Sequence, residues 1–203
     1  MIVRKIKLSY IHKTNIKFWE HSFVCGLAAR IIARDMRIGS DIAFMGGLIH
    51  DIGKMIMLET FSDDYAVEYW MTTFSNEKIT HEELEMFSFT HDLVGGQLLK
   101  KWFFPESLIT AVACHHRPDE AAKEKNLAYI IQMADLLSFY CCNQELLEDD
   151  GILTAVNNSL PDWRSQWQDC GLPVKNDNIV GWFNWLLNNH EQGSSLKDAF
   201  SSS

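Results

Sequence analysis

The chain has 203 residues, 47% of them hydrophobic, which is enough for one large domain or two small ones with a real core. Its formal net charge of −9 would repel a polyanion, so nucleic acid is not expected as a main partner. The apolar runs are too short for a signal peptide or a membrane span. Five cysteines without Cys-x-x-Cys spacing indicate a reducing compartment, and we expect a cytoplasmic protein with no membrane partner.

Helical periodicity runs through nearly the whole chain, starting with residues 18–32. The apolar side chains there recur at steps of three and four, as on the buried face of a helix. His21 falls on the same stripe and is expected to face inward. A lone inward histidine is also compatible with an ordinary hydrogen-bonded core residue. No alternating strand pattern occurs, and the predicted fold class is all-α.

The next predicted helix carries the pair His50-Asp51, the most informative feature of the sequence. Residues 40–41 are expected to cap the helix, the apolar run 43–49 to fill it, and Gly53 to end it in a left-handed conformation. The pair would then lie in the last turn. A histidine and a carboxylate beside apolar residues are costly to bury unless their charge is compensated, and a divalent metal ion would compensate it.

Two further predicted helices carry the other histidines. Thr90 can cap a helix whose apolar face begins with His91, and Pro105 can start the next helix, whose face ends at His116. The tandem pair His115-His116 is equally compatible with two histidines that interact with the dipole at a helix end. Both interpretations stay open for this pair taken alone.

A helix predicted at residues 126–139 places Asp135 among large apolar side chains. Its carboxylate would lose hydration there and would need a cation, either an arginine or a metal ion. Residues 143–162 are acidic and turn-rich. They form the expected boundary between a helical core of residues 1–142, which carries the site, and a C-terminal helical extension of residues 143–203 packed on that core. The extension is expected to end in a disordered Ser-rich tail.

Taken together, all of these predicted helices present an imidazole or a carboxylate at an inward position. A shared site explains this set better than coincidence does. The donors are nitrogen and oxygen atoms, which suit iron, manganese, nickel or zinc and tell against a soft thiolate site.

These residues carry a resemblance to a known superfamily. The order His21, His50-Asp51, Asp135 resembles the H…HD…D signature of the HD superfamily of metal-dependent phosphohydrolases. The additional His91 and His115-His116 resemble its two-metal branch. Four segments narrow the match to the HDOD family, a bacterial signalling relative of the HD-GYP proteins: residues 19–22, residues 43–54, Glu85 with residues 91–105, and residues 115–118.

The resemblance covers roughly residues 16–140 and implies a compact, HD-domain-like helical bundle. It also implies bacterial signal transduction, in which such domains act as regulatory or output modules. HDOD domains usually have a further helical region upstream, whereas eighteen residues precede Trp19 here, so we expect that region to be missing or supplied by another chain. The Gly-Tyr-Pro element of HD-GYP phosphodiesterases is replaced by residues 117–120, which argues against cyclic-dinucleotide hydrolysis.

In contrast to many HDOD members, this chain keeps every superfamily ligand position. By resemblance, the metal ligands are His21, His50, Asp51, His91, His115, His116 and Asp135. Two divalent ions would carry +4 against −2 from the two aspartates, and the resulting positive pocket would attract a phosphate. Asp51 is predicted to bridge the ions and Lys54 to steady charge on the reacting phosphate, although Lys54 is equally compatible with a solvated residue past a helix end.

Three functions remain open at this stage. The first is a regulatory or output module that binds metal or a nucleotide-like ligand, with a signalling protein or a small phosphorylated ligand as its partner. The second is an active phosphohydrolase for a nucleotide or another phosphoester, and the third is a metal-free interaction module. Any of them could form an oligomer. Five C-terminal aromatic residues form a candidate partner surface: Trp163, Trp167, Trp182, Phe183 and Trp185. For Trp182 and Trp185, which stand at helical spacing, packing in the core is the alternative.

Overall fold

The computed structural model describes residues 2–61, 76–149 and 151–190, with side chains described from Lys17 in the first range and from Thr80 in the second. These residues form helices and no strand, which confirms the predicted all-α class. The predicted Ser-rich tail lies outside the described residues. The α-helices are α1 (Ile2–Asp35), α2 (Ser40–Ile49), α3 (Ile52–Thr60), α4 (Asn76–Phe87), α5 (His91–Lys101), α6 (Glu106–Ala113), α7 (Lys125–Cys142), α8 (Gly151–Ser159), α9 (Trp163–Asp169) and α10 (Asn176–Asn189).

Helix α7 forms the centre of the core. Nearly all of its side chains are buried, because it packs against α1, α2 and α6 and contacts the C-terminal helices. The apolar side chains of α8, α9 and α10 belong to the same hydrophobic cluster as those of α1 and α7. The division of the chain at residue 142 stays a prediction.

The predicted aromatic partner surface in the C-terminal part is wrong. Trp163, Trp167, Trp182 and Phe183 are each at most 4% exposed and lie in the main core, and Trp185 packs against it. The indole nitrogen of Trp182 donates to Asp35 at the end of α1, over 2.8 Å. These rings therefore stabilise the contact between the C-terminal helices and α1.

The segment around His50-Asp51 differs from the single capped helix that the sequence predicts. Helix α2 starts after Gly39 without a side-chain cap and ends at Ile49, and α3 starts at Ile52. Gly53 lies inside α3 and does not adopt a positive φ. A Cβ at this position would lie 1.9 Å from the carbonyl oxygen of His91, so the glycine is needed for the close packing of α3 on α5.

The tandem histidines also lie outside the helix predicted for them. Helix α6 starts after Pro105, as expected, but it ends at Ala113, and His115 and His116 follow in the connection to a 3-10 helix, Pro118–Glu120. None of the described helices combines the length and hydropathy needed to cross a lipid bilayer.

Candidate metal centre

Four buried side chains from three separate segments form what we call the inner cluster: Asp51, His91, His115 and His116. Each offers a donor atom within 4.8 Å of the others. Oδ1 of Asp51 lies 3.2 Å from Nε2 of His91 and 3.7 Å from Nε2 of His115. Nε2 of His116 lies 2.9 Å from Nε2 of His91. Three imidazoles and one carboxylate therefore converge on one small volume.

Three more side chains form the outer cluster: His21, His50 and Asp135. Oδ1 of Asp135 lies 2.9 Å from Nε2 of His21 and 3.4 Å from Nε2 of His50. The side chain of His21 is 18% exposed, while His50 is fully buried. His21 is thus the most exposed of the seven side chains.

Asp51 lies between the two clusters. Its Oδ1 faces the inner histidines, whereas its Oδ2 lies 3.4 Å from Nε2 of His50 and 2.6 Å from Nζ of Lys54. The break between α2 and α3 produces this placement: His50 is the C-cap of one helix and Asp51 the N-cap of the next. With one oxygen toward each cluster, Asp51 has the geometry of a bridging ligand.

The histidine rings are held with Nε2 directed into the centre. Nδ1 of His50 donates to the carbonyl of Gly47 over 2.8 Å, and Nδ1 of His115 donates to the carbonyl of Val112 over 2.7 Å. Nδ1 of His91 bonds both carboxylate oxygens of Glu83, at 2.8 and 2.9 Å. A donated Nδ1 proton leaves Nε2 with a free lone pair, as metal-binding histidines require.

Unsatisfied buried atoms indicate that the centre fits a cation. Among the described residues, six buried side-chain nitrogen or oxygen atoms lack a hydrogen-bond partner. Four of the six line the centre: His50 Nε2, Asp51 Oδ1, His115 Nε2 and His116 Nδ1. Buried polar atoms normally have hydrogen-bond partners. Four unpartnered atoms in one small volume therefore indicate a partner of another kind, such as a metal ion. A nitrogen and oxygen donor set of this composition suits a divalent transition metal ion.

Contacts between carboxylates and imidazoles shift several pKa values in the centre. Burial raises the pKa of Asp51 and that of Asp135, but the charge of His50, for Asp51, and the hydrogen bond from His21, for Asp135, hold both pKa values well below the usual range. Burial lowers the pKa of His50, yet the Asp51 carboxylate raises it well above its ordinary value.

The pKa values of His91 and His116 shift in opposite directions. Burial lowers the pKa of His91, but the Glu83 carboxylate outweighs it and raises the pKa to about 9. Burial, together with His115 and His91, lowers the pKa of His116 well below its ordinary value. His116 is therefore neutral and available as a ligand, whereas His91 loses a proton when a metal ion binds.

The structure brings together all seven side chains that the sequence predicts as ligands. Asp135 is paired with His21 and His50, not with the arginine considered as its ordinary partner. The alternative of a solvated Lys54 is wrong: its side chain is 7% exposed, and its ammonium group bonds Asp51. The Asp51 carboxylate raises the pKa of Lys54 against the lowering effect of burial, so it stays protonated.

The sequence resemblance includes Glu85 but does not single out Glu83, which is the glutamate that holds His91. Glu85 is 69% exposed and pairs with His81 on the surface of α4, whereas Glu83 is buried and holds His91. A signal for Glu83 exists in the sequence, because Thr80, Glu83 and Phe87 share one face of α4 at helical spacing. All three are buried or half-buried, whereas Glu85 lies off this face.

The chain is similar to curated proteins over part of their length. Ribonuclease Y of Fusobacterium nucleatum subsp. nucleatum is 28% identical over 118 residues, which is 58% of this chain and 18% of the relative. The chain spans about a fifth of the length of the curated relatives it matches.

Two solved structures share the fold. An HDOD domain protein of Geobacter sulfurreducens superposes with a TM-score of 0.61 at 20% identity, covering 88% of this chain and 62% of that protein. The HD domain of the phosphodiesterase PgpH of L. monocytogenes, determined in complex with cyclic-di-AMP, superposes with a TM-score of 0.51 at 16% identity, covering 87% of this chain and 91% of that domain.

The family itself follows from a match to a family model. The family model named HDOD domain matches residues 2–118, more than half of the chain. The matched range includes α1 through α6 and the connection that carries His115 and His116. This protein belongs to the HDOD domain family.

Proposed function

We propose that this HDOD domain binds two divalent metal ions, one in each cluster, and hydrolyses a phosphoester. The observation that carries the proposal is the position of Asp51, which presents one carboxylate oxygen to each cluster. The residues that would hold the inner ion are Asp51, His91, His115 and His116. Those that would hold the outer ion are His21, His50, Asp135 and the second oxygen of Asp51.

Charge explains why such a centre would attract a phosphate in an acidic protein. Two divalent ions bring +4 against −2 from Asp51 and Asp135, and the single charges of Lys54 and of the buried Glu83 carboxylate beside His91 offset each other, so the centre would be net positive. The local field is then opposite in sign to the formal net charge of −9 of the chain. A compact phosphoester gains from this field, whereas a long polyanion also meets the acidic surface.

The chain's own residues have distinct parts in the reaction. When bound, a pair of divalent ions supplies Lewis acidity and a hydroxide nucleophile at neutral pH. Asp51 and the inner histidines hold their donor atoms in place. We place the substrate beside His21, the most exposed of the predicted ligands, and Lys54, fixed beside Asp51, would donate a hydrogen bond to a phosphate oxygen. The other six ligands are each at most 8% exposed.

The comparisons bear on the substrate class. Ribonuclease Y and a phosphodiesterase bound to cyclic-di-AMP are named for phosphodiester chemistry. In this chain residues 117–120 replace the element typical of cyclic-dinucleotide hydrolysis. We therefore propose a nucleotide-like phosphoester smaller than a cyclic dinucleotide, with manganese or iron as the ions tested first.

Metal content and turnover test this function together. Protein purified without oxygen is analysed for transition metals and assayed with Mn²⁺ or Fe²⁺ on p-nitrophenyl phosphate, bis-p-nitrophenyl phosphate, cyclic-di-AMP and a short single-stranded RNA. We expect about two ions per chain, turnover of a small phosphoester, and loss of both in Asp51→Asn. His81→Gln is the matched control, because His81 is exposed and lies on α4 away from both clusters. Wild-type metal content in Asp51→Asn would refute the assignment.

A regulatory module is the second candidate, favoured by the burial of the centre. His50, His91 and His115 are fully buried, which suits tight retention of ions better than rapid turnover. In this role the domain binds metal and a small phosphorylated ligand, and its ligand-bound state changes its interaction with a signalling partner. Two bound ions without turnover, together with a rise in melting temperature on adding AMP or cyclic-di-AMP, would favour it over the hydrolase.

A further inference from the structure

A second buried carboxylate, Asp92, lies directly beside the inner cluster and takes no part in it. The side chain is fully buried. Its Oδ1 accepts hydrogen bonds from the hydroxyl of Thr90 and, over 2.9 Å, from the backbone N–H of Leu93. Its Oδ2 accepts a hydrogen bond from Nη2 of Arg117 over 3.3 Å. Asp92 is therefore fixed at the first turn of α5, one residue after His91.

Arg117 has the corresponding position in the other segment, one residue after His116. Its side chain is 33% exposed, and its Nε donates to Glu120 over 3.2 Å. The guanidinium therefore links α5 to the connection between α6 and the 3-10 helix Pro118–Glu120. A buried carboxylate that loses its cation partner is strongly disfavoured, so this ion pair resists separation of the two segments.

Asp92 and Arg117 each directly follow a histidine of the inner cluster. The Nε2 atoms of these two histidines lie 2.9 Å apart. His91 precedes Asp92, and His116 precedes Arg117. The backbone of His116 is held on a further side, where Nε2 of Gln132 donates to its carbonyl over 3.2 Å. The separation of the two rings is therefore set by contacts outside the cluster.

We propose that Arg117 is a positioning residue of the inner cluster. Its ion pair with Asp92 sets the separation of His91 and His116 and thereby the affinity of the inner metal ion. This inference rests on the proposed two-metal centre. It assigns a role to an arginine whose hydrogen bonds go to Asp92 and Glu120, neither of which is a predicted metal ligand.

Stepwise binding of Co²⁺, followed by its visible absorption, tests the proposal. The step that His115→Ala removes identifies the inner ion. We expect Arg117→Gln to weaken that step by about 10- to 100-fold, the usual range when a residue that supports a metal ligand is changed, and to leave the outer step unchanged. Arg117→Lys keeps the charge and should recover part of the loss. Arg30→Gln is the control, since it breaks an ion pair between α1 and α2, with Asp41, that touches neither cluster.

The double variant Asp92→Asn/Arg117→Gln separates positioning from simple stability. In Arg117→Gln the buried Asp92 carboxylate has no cationic partner. The additional change Asp92→Asn removes that buried charge, so the melting temperature should recover relative to Arg117→Gln. The inner-ion affinity should stay low. Recovery of full affinity in the double variant would overturn the positioning role, as would an Arg117→Gln variant with normal metal binding and a raised KM, since that result means direct contact with substrate.

Imidazole NMR of the metal-free protein keeps this test independent of the proposed function. Side-chain nitrogen resonances of His91 and His116 should shift in Arg117→Gln, while those of His21 stay in place. Unchanged resonances would overturn the inference even if two ions bind. Absence of metal from the wild type, together with shifted resonances, would instead refute the two-metal function and retain the positioning role.

Discussion

The inner and outer clusters use the same kinds of side chain but hold them differently. All four inner residues are buried, and two of the inner rings are fixed by a carboxylate or a helix carbonyl. In the outer cluster, His21 is partly exposed, and its Nδ1 has a weaker contact of 3.3 Å with the hydroxyl of Ser138. In the proposed two-metal centre, the inner ion would therefore be held more tightly, and the outer ion would exchange its ligands more readily.

Substitution of a single metal ligand, tested separately in each cluster, should have the largest effect on metal affinity. We expect His115→Ala to weaken the inner ion by more than about a hundredfold, because it removes a preoriented imidazole from a site that water cannot easily fill. His21→Ala should weaken the outer ion by only about tenfold, since solvent can replace a partly exposed ligand. Isothermal titration with Mn²⁺ measures both. Equal losses would remove the distinction between the clusters.

Gly53→Ala should disturb the inner cluster through packing alone. The new methyl group would meet the carbonyl oxygen of His91 and push α5 away from α3, with a loss of about 3 kcal/mol in the free energy of unfolding. The inner ion should weaken more than the outer ion. Gly181→Ala is the control: a methyl group at this position on α10 would meet no atom within 4 Å, and alanine should stabilise that helix by up to about 1 kcal/mol. Chemical denaturation measures both changes.

Supporting hydrogen bonds should matter more in the inner cluster than in the outer one. Glu83→Gln replaces a carboxylate that bonds both the ring and the backbone N–H of His91, and we expect a loss of about 10- to 100-fold in inner-ion affinity. Ser138→Ala removes only the 3.3 Å contact to His21 and should change outer-ion affinity by less than about threefold. Competition with a metal-sensitive dye measures both. A larger effect of the serine change would reverse the comparison.

The pH dependence of stability should be the smallest effect. The pKa of His91 is raised to about 9, and that of His50 is raised as well, so their stabilising contribution is complete below the unfolded value of about 6.5 and is lost as pH rises. Metal-free protein should therefore lose a few degrees of melting temperature between about pH 6.5 and pH 8.5. With saturating Mn²⁺ the decrease of the melting temperature with pH should vanish or reverse, because the metal ions replace the protons on the histidines. A persistent fall with metal would contradict this exchange.

Much of the fold and centre could be predicted because local patterns encode it. Inward placement of His21 and Asp135 follows from helical periodicity, since each shares a stripe with residues that are fully buried. The turn between α2 and α3 could not be predicted in this way. Gly53 has the sequence context of a helix end, but its role depends on α5, which packs against it from 38 residues further along the chain.

Long-range contacts also explain the other errors. Glu83 lies among surface charges of α4, and its burial depends on where α5 begins. Trp163 and Trp167 lie in a short polar segment, and their burial depends on packing against the helices of the main core. Lys54 is buried because α3 continues where the sequence suggested an end, which keeps its ammonium group beside Asp51.

The break after Ile49 has a consequence for substitutions elsewhere in α2 and α3. His50 is the C-cap of α2 and Asp51 the N-cap of α3, and a single peptide bond joins them. A change in the angle between the two helices would therefore turn His50 and Asp51 relative to each other. Substitutions that bend either helix would disturb the centre even at residues that do not contact it.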